Sequence, residues 1–426
     1  LRICFLTHYF PPERGAPQTR IHALASRLAA AGHEPVVHTG FPNYPAGRVL
    51  APYRNGRVAV EQDLGGFPVV RSLVYPTPNA GFARRVANHA VFAASSLVTG
   101  ARTGPVDVVV AETPPLFTAA AAVLYARRKR APLVLNVADR WPASAVALGA
   151  LRDARAVAAA ERLEAWCYRH ADVVVAPTAR LAQALREHPD VRRVVHVPPA
   201  VDLERFGAPV ARPPSGKPLH VVYAGTVGLA QSVETLIEAA VLAGPDVVRV
   251  TIAGDGAEAA AVAALIEARG ARHVTMIGAV PAEGVVNLYN NADAGVVLLQ
   301  GVELFDEALP TKLMEVMAAG RPVLLAARGE SVDVVTSAGC GLAVEPQDAA
   351  GLAEAVRQLA GDRELRERLG TAGRAAAERS YSRERAVSAW EELLVGVSEA
   401  GGGGGGRGAP RARRSPRCAS ALCGRR

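Results

Sequence analysis

Twice along this 426-residue chain, short apolar runs of strand length alternate with segments of helical period, and a Pro/Gly-rich stretch separates the two series. Runs such as Val106-Asp-Val-Val-Val-Ala111 and Ala131-Pro-Leu-Val-Leu-Asn-Val137 are apolar on both faces, as parallel strands covered by helices on each side must be. In the first series strands are expected near 2–7, 34–39, 106–111, 132–137, 172–176 and 193–197, with helices near 17–31, 82–100, 117–129, 155–170 and 179–187. The second has strands near 219–224, 248–253, 273–277, 294–299, 322–326 and 340–344, with helices near 231–243, 257–270, 281–291, 311–319 and 348–360. The expected class is α/β, with two doubly wound, Rossmann-like domains in tandem. The organisation read from this is a first domain at 1–205, a linker at 206–218, a second domain at 219–380, a crossover helix at 381–398 and a disordered Gly/Arg-rich tail at 399–426. Tyr381, Trp390 and Leu394 are expected to dock the last helix on the first domain.

The net charge of +8 suggests a nucleic-acid partner until it is located. Residues 401–426 hold seven arginines and no acid, so the first 400 residues carry only +1. Within them, residues 1–205 have 25 Lys/Arg against 15 Asp/Glu, while 206–400 have 16 against 25. The two halves therefore face different partners. No aromatic platform accompanies the tail arginines, which excludes specific nucleic-acid binding as the main activity.

Five cysteines at 4, 167, 340, 418 and 423 have neither disulfide-framework nor zinc spacing. The expected compartment is the cytoplasm: the chain runs straight into a strand with no leader pattern, and no apolar run reaches membrane-span length.

In open α/β sheets ligands sit beyond the carboxyl ends of strands. After the first strand comes His8-Tyr-Phe-Pro-Pro-Glu-Arg-Gly15, which lacks the Gly-x-Gly-x-x-Gly fingerprint and argues against an NAD enzyme. In the second half, Glu307 and Glu315 flank Ala-Leu-Pro310-Thr311-Lys312-Leu-Met, a loop running into a short helix that Gly320 and Pro322 end. Thr311 reads as the N-cap. The free N–H groups at such a helix start, with Lys312 beside them, suit a phosphate. Glu315 lies one turn in, where a carboxylate accepts from the two hydroxyls of a ribose, and Glu307 on the loop is placed to reach a sugar beyond the phosphates. The plainer alternative is a solvated Glu307 and an ordinary amphipathic helix.

Together with Val-Val-Tyr-Ala-Gly225, Ile252-Ala-Gly-Asp-Gly256 and Val197-Pro-Pro-Ala-Val-Asp-Leu-Glu-Arg-Phe206, these residues resemble the retaining GT-B glycosyltransferases of family 4 over about residues 1 to 398. Asp139-Arg-Trp-Pro-Ala-Ser-Ala-Val-Ala-Leu-Gly149, Tyr223-Ala-Gly-Thr-Val-Gly-Leu-Ala-Gln231 and Pro310-Thr-Lys-Leu-Met-Glu315 are similar to the WbuB-like subgroup, which transfers N-acetylfucosamine-type sugars. The resemblance implies a GT-B architecture with an interdomain cleft. It implies that Glu315 holds the ribose, Glu307 the transferred sugar, main-chain groups near Val280 the base, and the turn at Gly15-Ala16 the diphosphate.

The chain departs from that pattern where Thr226 and Gln231 stand at the usual Arg and Lys, so Lys312 must supply more of the charge. Ala138 stands at the usual His, leaving an acceptor-side role to Asp139, whose alternative is to cap the turn before Trp141. The expected catalytic set is Glu307, Lys312 and Asp139, with Gly15, Gly225, Thr226, Gln231, Val280, Pro310, Thr311 and Glu315 binding the donor. No metal is expected, since no Asp-x-Asp follows a strand. The expected partners are a UDP-sugar, a lipid-linked or soluble sugar acceptor, and an anionic membrane surface met by Arg84, Arg85, Arg102 and Arg127 to Arg130. A sugar-nucleotide epimerase and a non-catalytic nucleotide-sugar binder stay open as alternatives.

Overall fold

The computed structural model describes residues 1–13, 15–44, 47–77, 82–208 and 218–402, so most of the proposed linker and nearly all of the tail lie outside the described residues. Strands β1 (Arg2–Leu6), β2 (Glu34–Gly40), β3 (Val58–Gln62), β4 (Pro68–Ser72), β5 (Val108–Thr113), β6 (Leu133–Val137), β7 (Val173–Ala176) and β8 (Val194–His196) form one sheet in the order β3-β4-β2-β1-β5-β6-β7-β8. Every pairing is parallel except β3 with β4. Strands β9 (Leu219–Ala224), β10 (Val248–Ala253), β11 (Val274–Gly278), β12 (Ala294–Leu298), β13 (Val323–Ala326) and β14 (Gly341–Val344) form a second, wholly parallel sheet in the order β11-β10-β9-β12-β13-β14. That is the doubly wound 3-2-1-4-5-6 arrangement, whose switch point lies between β9 and β12.

Side-chain alternation explains why the strands read as unbroken apolar runs. In β1, Ile3 and Phe5 face one cluster while Cys4 and Leu6 face another. In β9, Val221 and Tyr223 point to one side and Val222 and Ala224 to the other. Both faces are buried, so neither needs a polar residue.

The β3–β4 hairpin was not foreseen in the sequence. Its outer strand is half exposed, with Val60 57% exposed, and β4 carries Arg71, which is 1% exposed. Arg71 donates to Glu61 at 2.7 Å and to the Pro11 carbonyl. A buried but fully bonded guanidinium leaves no hydrophobic signature.

The closing helices divide between the lobes. Arg363–Ser380 stays with the second lobe, where Ala376 and Ala377 join its core. Arg383–Gly402 crosses back, and Trp390, Leu393, Leu394 and Val397 pack with Ile3, Phe5 and Ile21. Trp390 and Leu394 thus dock as expected. Tyr381 does not: it precedes the crossing helix and packs on the second lobe's core.

Candidate active site

The two lobes meet over a cavity of about 430 Å³ at the carboxyl ends of their central strands. Gly225, Thr226 and Gln231 after β9, with Thr311, Lys312 and Glu315, line it from the second lobe. Gly15, Arg20 and Asn136 line it from the first, and Asp202 and Arg205 from the short helical turn that follows that lobe's last strand. Its size is in the range of small-molecule sites.

Helix Thr311–Ala318 buries Leu313, Met314, Val316, Met317 and Ala318. Positions 311, 312 and 315 are left for the opposite side by the 3.6-residue period. The helix starts one residue earlier than the Thr311 cap implied: Pro310 is the N-cap and Thr311 the first helical residue. Proline fixes the entry without supplying a side-chain acceptor, and no side chain caps this end. The Leu313 N–H donates to the Pro310 carbonyl at 3.0 Å, which leaves the N–H groups of Thr311 and Lys312, the residues that line the cavity, without a side-chain cap.

Lys312 is held in place. Its ammonium donates to the Tyr223 hydroxyl at 2.7 Å and lies 3.9 Å from the centre of that ring, while the hydroxyl donates to the Thr226 carbonyl. Burial pushes the Lys312 ammonium down to about 7, with Glu315 pulling in the opposite direction. Gly225 makes room for it, since a Cβ there would stand 3.1 Å from Lys312 Nζ. Behind Gly225, a Cβ on Gly254 would overlap the Gly225 carbonyl oxygen, which is main chain and has nowhere to go. Gly254→Ala is thus expected to destabilise the second lobe by about 3 kcal/mol, from overpacking. Thermal unfolding checks this, and an unchanged melting temperature would show that the loop gives way freely.

Glu315 faces the same space, its carboxyl raised by burial and drawn back down by Arg205 and Lys312. Arg205 was not singled out in the sequence. It sits on the turn Leu203–Phe206, with Asp202 capping the turn by accepting from its main-chain N–H at 3.2 Å, and its Nε is buried without a hydrogen-bond partner. Arg205 adds a cation to the cavity that Lys312 lines, reaching it from another segment. The motif Val197 to Phe206 was its signal. Two further guanidinium groups at the cavity are already paired, Arg20 with Glu112 and Arg383 with Asp202 at 2.7 Å.

The structure brings Gly15, Gly225, Thr226, Gln231, Thr311, Lys312 and Glu315 together around this cavity and sets four other candidates apart. Val280 packs beside the second lobe's core, and the wall near it is made by Ala282 and Val285. Pro310 shapes the helix entry without lining the space. Asp139 is raised by burial but held by the Ser144 hydroxyl and the Arg140 amide, which favours the turn-capping alternative. Glu307 closes the 3-10 turn Glu303–Glu307, and both its oxygens accept from Arg140 of the first lobe, Oε2 at 3.0 Å and Oε1 at 2.7 Å. It is not a free loop carboxylate.

Two family descriptions match the chain, Glycosyl transferase 4-like domain over residues 15–200 and Glycosyl transferases group 1 over 209–376. A protein of Escherichia coli (strain K12) named for colanic acid biosynthesis, the glycosyl transferase WcaI, is 25% identical over 382 residues, spanning 84% of this chain and 91% of its own. Among solved structures, a sucrose-phosphate synthase from Thermosynechococcus elongatus superposes with a TM-score of 0.77 at 19% identity, covering 94% of this chain and 99% of that one. Anabaena HepE in complex with UDP-glucose superposes at 0.69 and 16% identity, covering 93% and 99%. These two structural likenesses are of fold.

Proposed function

The chain is a glycosyltransferase of the two-domain GT-B type, and from that premise we propose that it moves a sugar from a UDP-sugar to an acceptor hydroxyl with retention at the anomeric carbon. One observation carries the reading: an uncapped helix start, a buried ammonium and a guanidinium whose buried Nε has no hydrogen-bond partner converge on one cavity between the lobes. As the bond from the anomeric carbon to the diphosphate breaks, negative charge grows on the departing phosphate oxygen. Lys312, Arg205 and the N–H groups at Thr311 stabilise that charge before any rearrangement, which is where electrostatic preorganisation acts. The departing oxygen takes the acceptor's proton, so no side chain is assigned as general base. Glu315 accepts from the ribose, and Glu307, four residues before Thr311 and outside the cavity lining, from the transferred sugar where it extends beyond the phosphates.

HepE complexes with UDP and UDP-glucose favour uridine as the base. The WcaI name, and WaaG's part in lipopolysaccharide biosynthesis, favour a surface-polysaccharide acceptor; its lipid carrier is carried over from the family resemblance. An N-acetylated deoxyhexose as the sugar rests on the WbuB-like segments alone. In this reading the two cationic groups and the helix start serve in place of a divalent ion. Screening UDP- and GDP-sugars for binding, then for transfer to lipid-diphosphate acceptors, tests it. Transfer is expected to survive excess EDTA; full loss that magnesium restores would reject the metal-independent arrangement. Quantitative change of the donor without acceptor would point instead to an epimerase, and binding without any turnover to a non-catalytic binder.

The acceptor's carrier suggests a membrane-facing surface. Helices Phe82–Thr99 and Leu116–Lys129 belong to the first lobe, where Arg128 donates to the Leu97 carbonyl at 3.3 Å. Val98 and Leu124 stand exposed at the end where Arg128 meets Leu97, with Arg127 next to it in sequence, and Arg84 and Arg85 are exposed at the opposite end of the first of these helices. Cations beside apolar side chains suit an anionic leaflet, each contributing about 1 kcal/mol. Among the described residues no helix is long and apolar enough to cross a membrane. Flotation with anionic liposomes at physiological salt is expected to carry the protein upward, and recovery wholly at the bottom would reject this surface.

A further inference from the structure

Glu307, the carboxylate given to the transferred sugar, is held from the opposite lobe. Arg140 lies just beyond β6, and its pair with Glu307 is bidentate, with the two side chains 36% and 19% exposed. The contact is one of several that bind the first lobe around this turn. The Thr178 hydroxyl donates to the Glu307 main-chain oxygen at 2.8 Å. Glu330, opening the second-lobe helix Glu330–Ala338, accepts from the amides of Ala179 and Arg180 at 3.0 Å each, so one lobe caps a helix of the other. Arg180 also pairs with Asp333 at 2.7 Å.

A carboxylate offers about four lone-pair sites, and a guanidinium fork occupies one on each oxygen. The remaining two keep the fixed orientation that the fork imposes. We propose that Arg140 is a positioning residue for the sugar subsite: it orients the Glu307 carboxylate toward the transferred sugar only while the lobes are together, so sugar recognition is assembled from both. This rests on the transfer reading given above.

The charges around Glu307 make the role measurable. Asp139 and Asp306 face it with like charge, Asp306 itself being 3.5 Å from Arg328. Arg140 also faces Glu164 on helix Ala154–His170, whose carboxyl burial raises to about 7 and which accepts from Tyr168 at 2.8 Å. Burial raises the Glu307 carboxyl and Arg140 opposes this. Removing the guanidinium leaves Glu307, Asp139 and Glu164 without their shared cation. Glu307 then takes up its proton at higher pH and loses the charge-assisted part of its bonds to the sugar.

Arg140→Met and Arg140→Lys in the full chain separate orientation from charge. UDP, which has no sugar, should bind Arg140→Met within about threefold of the wild type. Its kcat with the UDP-sugar found by screening should fall about 10²-fold, as misplacing a reacting partner does, and the acid limb of the rate profile should rise by about one pH unit. Arg140→Lys restores the charge and hence the limb, while kcat stays depressed because an ammonium cannot reproduce the fork. An unmoved limb with near-normal kcat in Arg140→Met overturns the assignment. So does a loss of UDP affinity that parallels the loss of rate, which marks a purely structural contact. A wild-type chain that neither binds nor transfers any sugar nucleotide overturns the parent reading, and that result comes before any variant is compared.

Discussion

Replacing Lys312 with methionine is expected to lower kcat/KM with the proper UDP-sugar by about 10²–10³-fold, the usual cost of removing one preorganised group from a developing oxyanion. Methionine keeps much of the apolar stem against Tyr223 and takes away the charge together with the hydrogen bond to the Tyr223 hydroxyl. Near-normal turnover in the variant would remove Lys312 from the mechanism. The wild type carries a second signature of the same group. Burial holds the free ammonium down to about 7, whereas a bound diphosphate favours its charged form, so binding takes up a proton above that pH. The sign follows directly: donor affinity is flat below about pH 7 and falls as pH rises through it, by up to about tenfold per unit. A UDP-sugar is the right probe because its diphosphate diester does not titrate in this range. Calorimetry in buffers of different ionisation heat measures the proton taken up, and Lys312→Met should abolish it. Proton-independent binding by the wild type between pH 7 and 9 would mean that the ammonium does not meet the phosphates.

Glu315→Gln is expected to weaken UDP binding by about 10- to 100-fold while changing kcat little. A carboxylate accepting from two hydroxyls loses one charge-assisted bond and keeps a weaker one when it becomes an amide, at about 1.5–3 kcal/mol for a bond to a charged group. The loss concerns the ribose, so it should vanish when the ligand lacks those hydroxyls: wild type and variant should bind 2′,3′-dideoxyuridine diphosphate alike. Equal affinity of both proteins for UDP itself would remove Glu315 from the ribose site. The substitution also leaves Arg205 and Lys312 without the carboxylate between them, and a lowered melting temperature in the absence of nucleotide would register that.

How much of this was readable beforehand depends on how far a side chain's partners lie along the chain. Lys312 and Glu315 were legible because their own helix declares its faces: five apolar neighbours point inward, and the helical period leaves 311, 312 and 315 for the cavity. The second sheet was legible strand by strand because burial on both faces demands unbroken apolar runs. The β3–β4 hairpin was hidden because its outer strand is half exposed and its partner carries Arg71. Arg205 was hidden although its motif was in view, because nothing local tells whether an arginine on a short turn looks to solvent or across a cleft.

By itself the sequence determined the two tandem sheets, the helix whose uncapped start meets the cavity and the residues on its open face, because each follows from contacts a few residues apart or from a simple period of burial. Only the tertiary structure decided that Arg205 shares the cavity, that Asp139 is turned into its own loop and that Glu307 is gripped by Arg140, 167 positions away. Charged pairs between lobes impose no pattern on either segment, since Coulomb attraction depends on separation in space, and the packing of two separate cores sets that separation.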